Sequence, residues 1–218
     1  MTIIEMANYF DIMQDKFKSP YFTDTEKTLF LQRAHVDLVN NLLSPDEKLP
    51  NVELSQDTIS KIATLIIPLA YINMPSTGVV LKSSIQTALN TASSGAVLWR
   101  PLNIGWVLGN DYHPVKYTRH NDWWEFKENY FKNPSTDNPK VYETAIGYQF
   151  GPIHTNAKLY FNVLKYPKKV VIDSVTPANN VDSDLPDFTH DEIVALALEY
   201  AGIGSRDENL AQLLQIKK

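Results

Sequence analysis

The sequence predicts an α+β protein in which N- and C-terminal helices form a bundle and a central β-rich segment is inserted between them. Three observations lead there. Near both ends, apolar residues recur every three or four positions, which draws one face of a helix. In the middle, Pro, Gly, Asn and Ser punctuate short β-branched and aromatic runs, the texture of strands and turns. All four tryptophans, Trp99, Trp106, Trp123 and Trp124, fall in that middle part. The expected division is a helical bundle from residues 1–72 and 186–218 and a β-rich insertion with long loops from residues 73–185.

The first helix is drawn by Ile3, Met6, Phe10, Met13 and Phe17, and Lys18-Ser19-Pro20 ends it. Thr23 and Glu26 then stand at capping-box spacing, where each side chain can satisfy a backbone N–H of the other's residue. The second helix that follows should bury Leu31, Ala34, Leu38 and Leu42, until Ser44-Pro45 stops it. After a polar linker, Ser55 and Asp57 precede a third helix with Ile59, Ile62, Ala63 and Ile66 on one side, broken by Pro68.

Strands are expected at residues 78–81, 96–99, 106–108, 115–118, 141–148, 158–164 and 169–172, with residues 85–90 compatible with helix or strand. Residues 133–139 read as an irregular surface loop held by Pro134 and Pro139. At the C-terminal end Thr189 is the expected cap of a helix, Glu192 its reciprocal partner, and Phe188 a staple against Ile193. Val194, Ala197, Leu198 and Ala201 extend its apolar face to Gly202, and a last helix is expected over 206–216.

At 218 residues, 44% of them hydrophobic, the chain is long enough to bury a substantial core. It holds no cysteine, which removes disulfides, thiolate metal sites and a cysteine nucleophile, and suits assembly in a reducing cytoplasm. A formal charge of -5 argues against wrapping DNA as a primary task, since that needs a clustered excess of Lys and Arg. The opening MTIIEMANYF has no basic flank and already carries Glu5, and no apolar run approaches the ~18 residues of a membrane span, so neither a targeting segment nor a membrane partner is expected.

Catalytic spacing is hard to find. His35, beside Arg33 and Asp37, reads as an exposed or interface residue; His190 falls in a capped first turn, and His154 follows Gly151-Pro152 as a turn residue. Asp111, His113, His120 and Asp122 make the densest group of possible metal or acid/base side chains, but six residues between the histidines match no trusted zinc spacing. The aromatics around them, Tyr112, Tyr117, Trp123 and Trp124, suggest a half-buried strand and turn instead. Gly202-Ile203-Gly204-Ser205 follows a helix and lacks a lysine, so it fails as a phosphate loop. No catalytic, cofactor-binding or metal-binding residue is assigned.

Exposed aromatics offer another chemistry, because tryptophan faces stack on sugar rings, although core packing accounts for most aromatics in a chain of this size. Trp123-Trp124 sharpens the choice. On a strand, adjacent side chains point to opposite faces, so one of the two should leave the local core and meet another element or another subunit.

Four segments in order carry a resemblance: Tyr21 to Glu26 opening the second helix; His120-Asn121-Asp122-Trp123-Trp124 leading to Asn129-Tyr130-Phe131-Lys132-Asn133-Pro134; Leu159 to Pro167; and Asp191-Glu192-Ile193-Val194. In their order and spacing the chain resembles ring or head-to-tail connector proteins of tailed phages, particularly the crAss-like podoviruses that infect Bacteroidota. The resemblance implies a non-enzymatic virion protein, assembled in the host cytoplasm head to tail into a closed ring, typically of twelve copies. Its partners would be itself, a portal or adjacent connector or tail proteins, and DNA passing through the lumen without specific binding. Such a heterologous interface needs two different complementary surfaces on each protomer. Trp123, Trp124, Phe131, Tyr160 and Tyr166 are the candidate subunit-interface residues, and residues 43–55 and 175–186 are candidate arms reaching a neighbour. The alternative is a carbohydrate- or receptor-binding tail module using exposed aromatics.

Overall fold

The computed structural model describes residues 1–16, 22–43, 54–129 and 133–202. The protein is α+β, and its chain divides into two compact units, one drawn from Met1–Ser44, Ser55–Leu65 and Pro167–Lys218, the other chiefly from Ile66–Tyr166. The chain passes between them at Leu65/Ile66 and Tyr166/Pro167, not at 72/73 and 185/186 as the texture of the sequence suggests. Residues 66–73 belong to the β-rich unit because they pair with a strand there, and residues 167–185 belong to the helical unit because their polar groups bond to its helices.

The helical unit contains α1 (Ile3–Lys16), α2 (Asp24–Leu42), α3 (Gln56–Ile62) and α6 (His190–Tyr200). Thr23 and Glu26 form the expected capping box at the start of α2. Thr2 and Glu5 make the same reciprocal pair at α1, with the Thr2 N–H donating to Glu5 Oε2 at 2.7 Å and the Glu5 N–H to Thr2 Oγ1 at 3.3 Å. Ser55 caps α3 by accepting the Thr58 N–H. α6 packs on α2 and α1, burying Ile193, Val194, Ala197 and Leu198 in a core with Ile3, Met6, Phe10, Leu31, Ala34 and Val39.

The start of α6 departs from the expectation. Asp187–Thr189 form a 3-10 turn that runs into the helix, Thr189 has helical backbone angles, and its hydroxyl donates to the Pro186 carbonyl at 2.7 Å. A residue already inside a helical turn cannot hold the extended geometry of a cap. Phe188 is accordingly 59% exposed and is no buried staple. α3 is likewise shorter than expected: Ala63–Leu65 tighten into a 3-10 turn, and Ile66 is already strand.

Residues 175–186 fold back on their own unit. The Val171–Val181 bridge closes the segment, Asp182 Oδ1 accepts the Ile3 N–H at 2.7 Å, Ser183 Oγ meets His35 and Leu185 is buried. This segment is therefore no free arm. The other expected arm, 43–55, and the expected helix over 206–216 lie mostly or wholly outside the described residues.

The β-rich unit carries two sheets. Strands β1 (Ile66–Pro68), β9 (Lys158–Lys165), β4 (Leu98–Leu108) and β5 (Asp111–Pro114) lie in that order, with β2 (Ile72–Asn73) also on β9. The second sheet has the order β3 (Val79–Leu81), β8 (Gly147–Gly151), β7 (Lys140–Glu143) and β6 (Lys116–Tyr117), antiparallel except for β6–β7. The expected strands at 96–99 and 106–108 are one strand, β4. Pro101 is tolerated inside it because register shifts flank that position, between Leu98 and Arg100 and between Pro101 and Asn103. The expected strand over 141–148 is a pair, β7 and β8, turning at Thr144, whose N–H bonds the Gly147 carbonyl at 2.7 Å. The segment 169–172 keeps only one bridge, at Val171.

The ambiguous segment 85–90 is helix, part of α4 (Lys82–Ala92), which sends Ile85 and Leu89 into the core shared by both sheets. Ile104 and Trp106 from β4, Leu159, Phe161 and Val163 from β9, and Tyr148 and Phe150 from β8 fill it. Phe150 meets Phe161 edge to face, with centroids 6.3 Å apart. Each such side chain contributes about 1.5–3 kcal/mol by leaving water, so this core is the frame on which the surface features below are fixed.

Candidate functional site

The segment expected as strand and turn around Trp123 and Trp124 is a helix, α5 (His120–Glu128), with Arg119 at its cap position and the Trp123 N–H bonded to the Arg119 carbonyl at 3.1 Å. Successive residues on a helix are ~100° apart, so the two rings part company by rotation instead of by strand alternation. Trp123 is 9% exposed and lies against Tyr142 with ring centroids 4.6 Å apart. It also covers Gly151, where a Cβ would come within 2.9 Å of the indole. Trp124 is 53% exposed. The two therefore form no flat double platform.

Together they line a cleft of about 420 Å³ whose other walls include Pro134, Phe150, Pro152 and Ile153. The exposed Ile153 stands with Trp124 as the apolar surface of this region. Pro134 is held by the tight turn that follows, in which Ser135 and Asn138 exchange backbone hydrogen bonds at 3.3 and 3.1 Å.

Other expected interface residues lie elsewhere on the same unit. Tyr166 stacks on Trp99 with centroids 4.5 Å apart and planes 1° from parallel. Tyr160 stands on β9 opposite Gly105 of β4, with the Tyr71 ring 6.0 Å away. Tyr112 of β5 lies over Gly105 from the other side, since a Cβ there would meet its ring at 2.3 Å. Burial raises the Tyr112 hydroxyl's pKa, and the nearby Tyr160 and Tyr71 hydroxyls add to the effect. Tyr71, Tyr112 and Tyr160 thus gather around one glycine, a grouping that the sequence, with Tyr71 some 89 residues before Tyr160, does not disclose. Phe131 lies outside the described residues.

The possible metal or acid/base group is spread over two elements. Asp111 and His113 sit on β5, opposite Leu108 and Trp106, while His120 opens α5 and Asp122 stands in its first turn. Among the described residues no three or more His, Asp or Glu side chains are grouped to hold a metal ion. His35, read from sequence as exposed or at an interface, is 1% exposed, because the returning segment 175–186 covers it. His190 is also buried, with Nε2 donating to the Leu185 carbonyl at 3.1 Å.

Each unit exposes large apolar side chains: Ile12, Leu29 and Phe188 on the helical unit, Trp124, Ile146 and Ile153 among those on the β-rich unit. No described helix is long and apolar enough to cross a membrane. No protein-family model and no curated protein matches this chain.

Proposed function

We propose that the chain is a non-enzymatic virion structural protein, one protomer of a head-to-tail connector ring around a DNA channel. A ring of identical subunits joins two unlike surfaces, one from each neighbour. The observation that carries the reading is the cleft beside Trp124 and Ile153, an apolar recess with an exposed tryptophan at its edge, the residue type most enriched where partners bury a hot spot. The apolar residues exposed on the helical unit, Ile12, Leu29 and Phe188 among them, are candidates for the complementary surface. The resemblance of the ordered segments to crAss-like phage connector proteins supplies the assembly: a closed ring, typically of twelve copies, docked on a portal or adjacent tail protein. The acidic balance of the chain suits a lumen that DNA passes without being held, since like charge weakens retention of a polyanion.

Electron microscopy of the purified protein, alone and with portal or tail proteins of the same phage, tests this directly. Closed rings are the expected result. A protein that stays monomeric at high concentration and adds no ring to its partners would overturn the proposal.

A second reading, a glycan-binding tail module, draws support from the Tyr71, Tyr112 and Tyr160 group, since tyrosine faces stack on sugar rings and these three surround a glycine. The tryptophan pair gives it less, with Trp123 packed on Tyr142. Binding on a glycan array that is lost on Tyr112→Ala would favour this reading over the ring.

A further inference from the structure

The chain continues past Gly202, and its last residues, 203–218, lie outside the described part. Their sequence carries an apolar stripe of its own: Leu210, Leu213 and Leu214 stand at i, i+3 and i+4, the spacing of anchors that enter a groove from one side. The face of α6 stops before it. Gly202 takes φ +72°, the left-handed conformation that closes a helix, and its N–H bonds back to the Glu199 carbonyl at 3.0 Å. A chain turned off the helix axis there does not prolong the face that α6 packs on α2. A helical stripe this short needs a partner to cover it, because helices under about 12–15 residues are marginal alone in water.

The β-rich unit offers a cover of matching chemistry. No charged side chain is among the described residues that line the cleft of about 420 Å³ beside Trp124; its polar side chains are Asn133, Tyr142 and Gln149. The run 209–216 is uncharged in the same way, with three leucines among the amides of Asn209, Gln212 and Gln215, and it is bounded by Asp207-Glu208 and Lys217-Lys218. Laid in the cleft, that run takes no charge out of water, the costliest part of burying a polar segment. Its charged flanks stay at the rim, where Glu125, exposed next to Trp124 on α5, is opposite in sign to the two lysines. A stretch as long as 203–218 spans about 24 Å as a helix and about 50 Å extended, against the ~30 Å width of a small domain, so it can leave its own protomer.

We propose that residues 209–216 of one copy dock as a helix in the Trp124 cleft of a neighbouring copy, with Leu210, Leu213 and Leu214 as the anchors. The inference rests on the ring reading and names the two unlike surfaces that its interface joins, the tail of one protomer and the cleft of the next.

The chain has no cysteine, so an introduced thiol is the only one present. Asn133→Cys, at an exposed position of the cleft, and Gln212→Cys, between the anchors, are made as separate full-length chains, mixed, and treated with a short bismaleimide. Denaturing gels are expected to show a two-chain product about tenfold above that of Gln212→Cys mixed with Val175→Cys, a 90% exposed site on the helical unit, because docking raises the local thiol concentration. The product should fall about tenfold when Leu210→Asp and Leu214→Asp are added to the Gln212→Cys chain, and likewise when Trp124→Ser is added to the Asn133→Cys chain. Circular dichroism matching the parent separates lost docking from lost folding. A product no greater than the control, a product that survives the leucine changes, or a cross-link that forms only within a chain carrying both cysteines would each overturn the proposal. Electron microscopy of the same mixtures keeps the two readings apart: closed rings without the cross-link remove the tail docking alone, whereas the absence of both removes the ring as well.

Discussion

His35 Nε2 lies 2.8 Å from Ser183 Oγ, across 148 residues of sequence, and its Nδ1 lies 2.6 Å from the Leu31 carbonyl. A carbonyl only accepts, so Nδ1 carries the proton and Nε2 accepts from the serine hydroxyl, which holds the ring neutral. Burial pushes the His35 pKa below its ordinary 6.5, with the neighbouring His190 lowering it further. In the unfolded chain the ring takes a proton below about pH 6.5, so the folded state binds fewer protons there. The stability His35 contributes is complete above that pH and falls as pH drops toward the depressed folded value. Denaturant midpoints measured from pH 7.5 down to 5 should decline, and the decline should flatten in His35→Gln.

Trp123 and Trp124 are neighbours with opposite consequences. Trp123→Ala removes the ring that covers Tyr142 and Gly151 and should cost about 3–5 kcal/mol of unfolding free energy. Trp124→Ser changes an exposed side chain and should alter stability by less than ~0.5 kcal/mol. If the ring reading holds, Trp124→Ser nonetheless prevents closed rings in electron micrographs, while circular dichroism matches the parent.

Lys27 is buried on α2 with its ammonium 2.7 Å from Asp11 Oδ2 of α1. Asp11 Oδ1 is shielded and has no hydrogen-bond partner, so the carboxylate depends on that ammonium. Lys27→Met should cost roughly 1–2 kcal/mol, below the full worth of a charge-assisted bond because Asp11 is partly exposed. The double variant Lys27→Met with Asp11→Leu should recover most of the loss, since no unpaired charge is left behind. Urea melts of the parent, both single variants and the double variant close the cycle.

Gly105 and Tyr112 are coupled through space. Gly105→Ala pushes a methyl into the Tyr112 ring and should cost about 1 kcal/mol, a modest figure because the ring is half exposed and can swing away. In a Tyr112→Ala background the same substitution should cost close to nothing. Equal costs in both backgrounds would mean that the ring does not lie over this glycine.

Much of the architecture could be read from local pattern. The α2 capping box at Thr23 and Glu26, the apolar stripes of α1 and α2, and strand β9 all rest on residues within a few positions of one another. The Thr2–Glu5 box is equally legible in the order Thr-Ile-Ile-Glu. The parting of Trp123 from Trp124 follows from the strand alternation that the sequence suggests and equally from the helix that the chain makes, since adjacent side chains diverge in both.

What the sequence determined alone is therefore the α+β class, the helical ends around a β-rich middle, and the positions of α1, α2, β3, β9 and α6, since periodicity and capping act over one or two turns. Only the tertiary structure decided that 175–186 closes over His35 and that Tyr71, Tyr112 and Tyr160 gather at Gly105. Each of those depends on strand register or on a segment returning from far along the chain. Such pairings leave no local trace, because the free energy that selects them comes from burying distant surfaces together.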